Sequence, residues 1–182
     1  SLVSDQIEVI ANTTPAAPVL KAATATTFCD GGSVKLTTSN TTGNEWFKDG
    51  VLINAVTGSS YTVTTSGSYT LKAASTAGCI SGTSLPIVVT VNPMPTVAPI
   101  TGADIVCATS STQLSSASNG GVWTSTNNGI ASINGNGLLQ ALSAGTVTIN
   151  YTITNPSGCA VTTSKSITVT ALPVKPSITA AG

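Results

Sequence analysis

Four cysteines, Cys29, Cys79, Cys107 and Cys159, are the residues of this 182-residue chain best placed to do chemistry. Their spacing is regular: Cys29 to Cys107 is 78 residues and Cys79 to Cys159 is 80. Matched pairs of thiols in a chain of export-type composition point to disulfides. Other chemistry has little to work with. The chain has no histidine, so its many Ser and Thr hydroxyls have no ordinary general base. The six carboxylates are scattered, with only Asp5/Glu8 and Glu45/Asp49 close in sequence, and the second pair reads as a solvated strand face. No catalytic residue, cofactor or metal ligand is assigned. Asp30 and Asp104 occupy comparable places and could lend oxygens to calcium, but turn formation explains both.

Charged residues make up 7% of the chain, net charge is zero and all six basic residues are lysines, which excludes the basic patch that nucleic acid needs. The same inventory argues against a polybasic membrane contact, and no apolar run is long enough to insert in a bilayer. Thr, Ser, Ala, Val and Gly dominate, a vocabulary of strands and turns.

Proline segments divide the chain. Pro15-Ala16-Ala17-Pro18, Pro93-Met94-Pro95 and Pro173-Val174-Lys175-Pro176 recur at one period, with 80 residues from Pro15 to Pro95 and 78 from Pro95 to Pro173. Extended proline segments are semi-rigid spacers, and a fixed period marks an array. The expected units are residues 15–94 and 95–172. Residues 1–14 read as the last strand of a preceding repeat, and residues 173–182 as a linker into a following one. The short linker predicts an end-to-end rod.

Within unit one, strands are expected at Pro18–Ala22, Ser33–Ser39, Asn44–Lys48 and Tyr61–Thr65. Another opens at Tyr69, and a long last one runs from Cys79 to Val91, where Pro86 suggests an edge or a bulge. Asp49-Gly50 is a hairpin signal. Unit two repeats the plan, with strands at Thr112–Ala117, around Trp123, at Ile130–Ile133, along Val147-Ile149-Tyr151-Ile153, and from Cys159 to Val169. Trp46 to Trp123 is 77 residues, close to the cysteine offsets. About seven short strands per unit predict an all-β pair of immunoglobulin-like Greek-key sandwiches. Trp46, Tyr69, Trp123 and Tyr151 are the expected core aromatics. Tyr69, after Gly67-Ser68, fits a tyrosine corner; Val147 stands at that place in unit two. Thr-rich faces could bind ice or sugar, and either Trp could be a ligand platform, but ordinary strand packing accounts for both.

The run from Trp123-Thr124-Ser125-Thr126 to Ala144-Gly145-Thr146 resembles the bacterial immunoglobulin-like domain of group two. Cys29-Asp30-Gly31-Gly32-Ser33-Val34 and Gly78-Cys79 resemble the immunoglobulin-like or PKD-like repeats of giant surface proteins exported by the type IX system of Bacteroidetes. That resemblance implies an extracellular stalk segment of a long cell-surface adhesin, with gliding motility among the processes served. Its partners would be neighbouring repeats of the same chain and an extracellular surface or glycan. A ligand-binding module, and a spacer in a secreted hydrolase, are the other readings.

Two cysteine pairings are open. Each unit could close its own bridge, Cys29–Cys79 and Cys107–Cys159. In an immunoglobulin-type sandwich, however, the entry to the second strand and the turn before the last strand lie at opposite ends. Strands of about seven residues separate those ends by roughly 23 Å, too far for a disulfide. That topology favours an inter-domain Cys29–Cys159 bridge.

Overall fold

Alternation of apolar and polar residues is strongest in the strands that build the two cores, and the computed structural model, which describes residues 11–173, shows each core closing on itself. The chain divides into units Ser1–Pro93 and Met94–Gly182. The strand expected within residues 1–14 falls largely on residues outside that span, as does the chain after Pro173. The described residues are strand, turn and loop, without helix.

Among the described residues unit one has eight strands: β1 (Leu20–Ala22), β2 (Thr27–Cys29), β3 (Val34–Thr38), β4 (Asn44–Lys48), β5 (Val51–Leu52), β6 (Ser60–Val63), β7 (Gly67–Ala73) and β8 (Ile87–Asn92). They form sheets of order β1-β3-β6 and β2-β8-β7-β4-β5, antiparallel except for the parallel pair β2–β8. This is the immunoglobulin arrangement. Val34, Leu36 and Val63 from one sheet meet Trp46, Tyr69, Leu71 and Val89 from the other. The side-chain period of two puts Val34 and Leu36 on the same inner face. Asp49 and Gly50, at φ 51° and 81°, make the two-residue hairpin between β4 and β5.

Two features of unit one differ from the sequence reading. The run Cys29-Asp30-Gly31-Gly32 reads in sequence as a turn that begins at the cysteine; Cys29 instead ends β2, a strand too short to show alternation, and the turn follows it, with the Gly32 N–H donating to the Cys29 carbonyl at 2.9 Å. The last strand was expected from Cys79 to Val91 with an edge or a bulge at Pro86; the bulge is there, and it is one of two. Regular pairing with β7 covers only Ile87–Val89, preceded by a single bridge between Ala74 and Ile80. Between them, Ser81 N–H donates to the Ala73 carbonyl and Ser84 N–H to the Leu71 carbonyl, at 2.8 and 2.9 Å. In return, the Ala73 N–H donates to Ser81 Oγ at 2.9 Å and the Leu71 N–H to Ser84 Oγ at 3.0 Å. Three residues step along this strand for every two on β7, so the strand bulges twice, and two buried hydroxyls stand in for the missing ladder carbonyls. Pro86, which has no N–H to give, sits in the second bulge.

Among the described residues unit two has nine strands: β9 (Ile100–Thr101), β10 (Ile105–Cys107), β11 (Ser111–Gln113), β12 (Ser115–Ser116), β13 (Val122–Ser125), β14 (Ala131–Ile133), β15 (Leu138–Ala141), β16 (Gly145–Thr154) and β17 (Ala160–Thr170). A sheet of order β10-β17-β16-β13 faces β11-β15-β14 and the pair β12–β9, and β10 runs parallel to β17 as β2 does to β8. The strand expected at Thr112–Ala117 is split at Leu114. Its first half pairs with β15 and its second with β9. Leu114 is fully buried, and its backbone is approached so closely that a Cβ on Gly137 would lie 2.4 Å from its carbonyl oxygen.

The two units tie their sheets with tyrosine in different ways. In unit one the Tyr69 hydroxyl donates to the Thr65 carbonyl, four residues back, at 2.9 Å. In unit two Tyr151 takes over the task from mid-strand. Its hydroxyl donates to the Ser118 carbonyl and accepts from the Gly121 N–H, both at 2.8 Å. Trp123 lies over the Tyr151 ring at 4.5 Å between centroids, half-buried where Trp46 is fully buried.

Two substitutions test these ties by chemical denaturation of the whole chain. Ser84→Ala leaves the Leu71 N–H buried without an acceptor and is expected to cost about 1–3 kcal/mol. Gly121→Ala would push a methyl into the Tyr151 ring and is expected to cost a similar amount, about 1–3 kcal/mol. A loss within measurement error at either position would show that the neighbouring backbone relaxes freely.

Candidate functional site

The four cysteines occupy two kinds of position, each used once per unit. Cys29 ends β2 and lies beside Asn92 at the end of β8; Cys107 ends β10 and lies beside Thr170 at the end of β17. The backbone continues alike. Asp30 N–H donates to the Asn92 carbonyl and Ala108 N–H to that of Thr170, both at 2.8 Å. Cys79 and Cys159 close the turns that precede the last strands. In one turn Ser75 N–H donates to the Cys79 carbonyl at 2.9 Å, and in the other Asn155 N–H donates to that of Cys159 at 2.9 Å. The cysteine N–H returns a bond to a side-chain oxygen each time, Cys79 N–H donating to Ser75 Oγ at 3.1 Å and Cys159 N–H to Asn155 Oδ1 at 3.0 Å. The preceding glycines, Gly78 and Gly158, have φ of 82° and 81°, a left-handed conformation that other residues adopt at a cost.

These positions lie at opposite ends of a unit. In unit one the residues between run the length of β7, from Gly67 beside β8 to Ser75 beside Cys79. Eight residues at about 3.3 Å each give roughly 26 Å. In unit two β16 runs ten residues between the two ends, or about 30 Å on the same rise. A disulfide needs Cα atoms within about 7 Å. The pairing of each unit on itself, Cys29–Cys79 with Cys107–Cys159, therefore fails on strand length. The cysteine states agree: Cys29 and Cys159 are disulfide-bonded, whereas Cys79 and Cys107 are free thiols. Cys107 is exposed and Cys79 half-buried.

The remaining polar candidates are engaged in structure. Asp30 Oδ1 accepts from the Gly31 N–H at 3.0 Å, and Asp104 pairs with Lys165. Asp49 Oδ1 accepts from the Ser68 N–H at 2.8 Å, which ties the β4–β5 hairpin to β7. Glu45 lies on β4 opposite Lys72. Among the described residues no three His, Cys, Asp or Glu side chains gather as a metal site would require. Trp46 donates from Nε1 to the Gly58 carbonyl at 3.0 Å and has no exposed face. Trp123 borders a groove with Gln113, Asn119, Asn136 and Tyr151. The serine pair on the bulged strand was not singled out from the sequence; nothing distinguishes Ser81 and Ser84 from the other serines until their partners on β7 are known. No helix among the described residues is long and apolar enough to cross a membrane.

A thiol-reactive chromophore should label two cysteines in the native, unreduced chain, Cys107 faster than Cys79, and all four after reduction in denaturant. Four reactive thiols before reduction, or none, would contradict the assignment.

No curated protein matches this chain. Among solved structures, similarity is found to a Ca2+-stabilised, ice-binding adhesin of an Antarctic bacterium, at 15% identity and TM-score 0.41, covering 88% of this chain and 50% of that one. A 1.5-MDa bacterial ice-binding adhesin is similar at 14% identity and TM-score 0.39, covering 87% and 66% respectively. The human OSCAR ligand-binding domain is similar at 16% identity and TM-score 0.38, covering 86% and 100%. The chain thus spans about half the length of the first of these structures. Residues 15–93 match the family described as Ig-like domain, CHU_C associated, and residues 87–163 match the bacterial Ig-like domain of group 2, the two overlapping on β8. The chain therefore carries two immunoglobulin-like domains in succession, the first similar to the CHU_C-associated type and the second to group 2 of the bacterial type.

Proposed function

We propose that this chain is a structural segment of a long, exported, cell-surface adhesin, and that its work is to transmit load between the cell and a distal binding region. The observation that carries this reading is the succession of two immunoglobulin-like domains with cysteines at matched positions. The buried polar side chains of the first domain among the described residues, Asn44, Ser81 and Ser84, each hold a backbone group, as befits a spacer. The finer reading is a parent exported by the type IX system, of the kind represented by the gliding-motility adhesin SprB; it rests on the resemblance of the Cys29–Val34 and Gly78-Cys79 stretches.

The same proposal includes a Cys29–Cys159 crosslink. It is supported by the disulfide-bonded state of these two residues, by the free thiols of the other two, and by strand lengths that forbid bridges within a unit. A bridge closing a loop of this size would stabilise the chain by about 5 kcal/mol through the entropy of the unfolded state.

Pulling the chain from its termini tests both parts. With the bridge intact, the roughly 130 residues between Cys29 and Cys159 stay out of the load path, and reduction under tension should release about 45 nm of contour at ~3.5 Å per residue. Two unfolding steps of full domain length before reduction would defeat the crosslink. Antibodies to this segment should label intact cells that express the parent; labelling only after permeabilisation would defeat the surface role.

The binding-module reading has one observation in its favour, the half-buried Trp123 beside Asn119, Asn136 and Gln113. Aromatic faces with amides at the rim suit a sugar ring. Titration with extracellular glycans should shift Trp123 fluorescence if that groove is a site, and leave it unchanged in a pure spacer.

A further inference from the structure

Cys79 and Cys107 are the two thiols left over, and each has a structural counterpart in the other unit that is disulfide-bonded. Cys79 closes the same turn as Cys159, with the same pair of hydrogen bonds and a glycine of the same φ before it. Cys107 ends the same parallel strand as Cys29, in the same register against the last strand of its unit. One kind of position is thus oxidised in one unit and reduced in the other, although the local geometry is the same. The backbone partners match, so the backbone at these positions does not set the difference. What differs is the neighbour available to each. Strand length keeps Cys79 and Cys107 each out of reach of the other cysteine of its own unit.

From this we infer that Cys79 and Cys107 are complementary crosslinking sites, each taking the other kind of cysteine from an adjacent immunoglobulin-like unit. The turn cysteine of one unit joins the strand cysteine of the unit before it. The inference rests on the Cys29–Cys159 pairing proposed above and extends it from one junction to a rule for the array. In the reaction the two sulfurs are joined, and two protons and two electrons pass to an oxidant of the disulfide class, which leaves as two thiols. Because the two sites are different, the contact is heterologous and does not close on itself, so it generates a linear series rather than a dimer.

A second copy of the chain supplies both missing partners and is the probe. The whole chain, purified without reductant and incubated in a glutathione redox buffer, should give a ladder of covalent multimers on non-reducing electrophoresis. Digestion should yield a Cys79–Cys107 peptide as the new link. Cys79→Ser and Cys107→Ser should each stop the ladder. A mixture of the two variants should give the mixed dimer about tenfold in excess of chance pairing, the mark of a modest recognition free energy. Dimers in statistical proportion, or thiols that stay reduced while the buffer oxidises a control dithiol, would overturn the inference. The same digests report on the underlying pairing. Loss of the Cys29–Cys159 peptide would defeat that pairing, whereas its presence beside random Cys79 and Cys107 linkage would defeat only the rule. Unchanged circular dichroism of the serine variants shows that they fold.

Discussion

The length of a paired β-strand is the constraint on which this chemistry depends. In each unit the last two strands form a ladder that cannot be shortened without loss of hydrogen bonds, and one cysteine sits at each end of it. The rise per residue then decides reachability: a thiol at one end never meets the thiol at the other. Oxidation within a unit is ruled out by backbone geometry rather than by any property of the sulfurs.

The short parallel strands β2 and β10 matter for the same reason. Each brings a cysteine against the end of the last strand, close to where the chain leaves the unit. A single three-residue strand would be too weak to hold that place alone, but it is sustained by the sheet edge it joins and by the turn that follows, closed at Cys29 by Gly32 N–H and at Cys107 by Ser110 N–H. The turn cysteines are held differently, by a side-chain oxygen that accepts the cysteine's own N–H, from Ser75 in one unit and Asn155 in the other. Serine and asparagine are interchangeable here because only the acceptor oxygen is used.

Equivalent tasks elsewhere are also met by different residues. The tyrosine that ties the end of one strand in unit one is Tyr69, beside Gly67; in unit two the tie moves to Tyr151, and Gly121 is kept bare to admit its ring. The bulged strand in unit one uses Ser81 and Ser84 as acceptors where β17 in unit two pairs with β16 over ten successive residues, Ala160–Val169. The units share a topology and a cysteine plan, while their cores are assembled from different side chains.

Much of this was legible in the residues themselves. The alternation in Val34-Lys35-Leu36 and in Val147-Thr148-Ile149-Asn150-Tyr151 carries its own register, because side-chain period and pleat are the same quantity, and Asp49-Gly50 announces a turn that only left-handed residues can make. Trp46 and Tyr69 lie in the core for the reason visible in the sequence, a large apolar body on an inward position. What the sequence left undecided is everything set by a partner distant along the chain. A three-residue strand such as β2 has no period to read, and it exists only because β8 offers an open edge. The split at Leu114 depends on two different strands claiming successive residues, and the bulges at Ser81 and Ser84 depend on what faces them across β7. Four cysteines, two per unit at matched positions, allow several pairings on paper; from the sequence they are weighed with an assumed strand length, and the length itself belongs to the folded sheet.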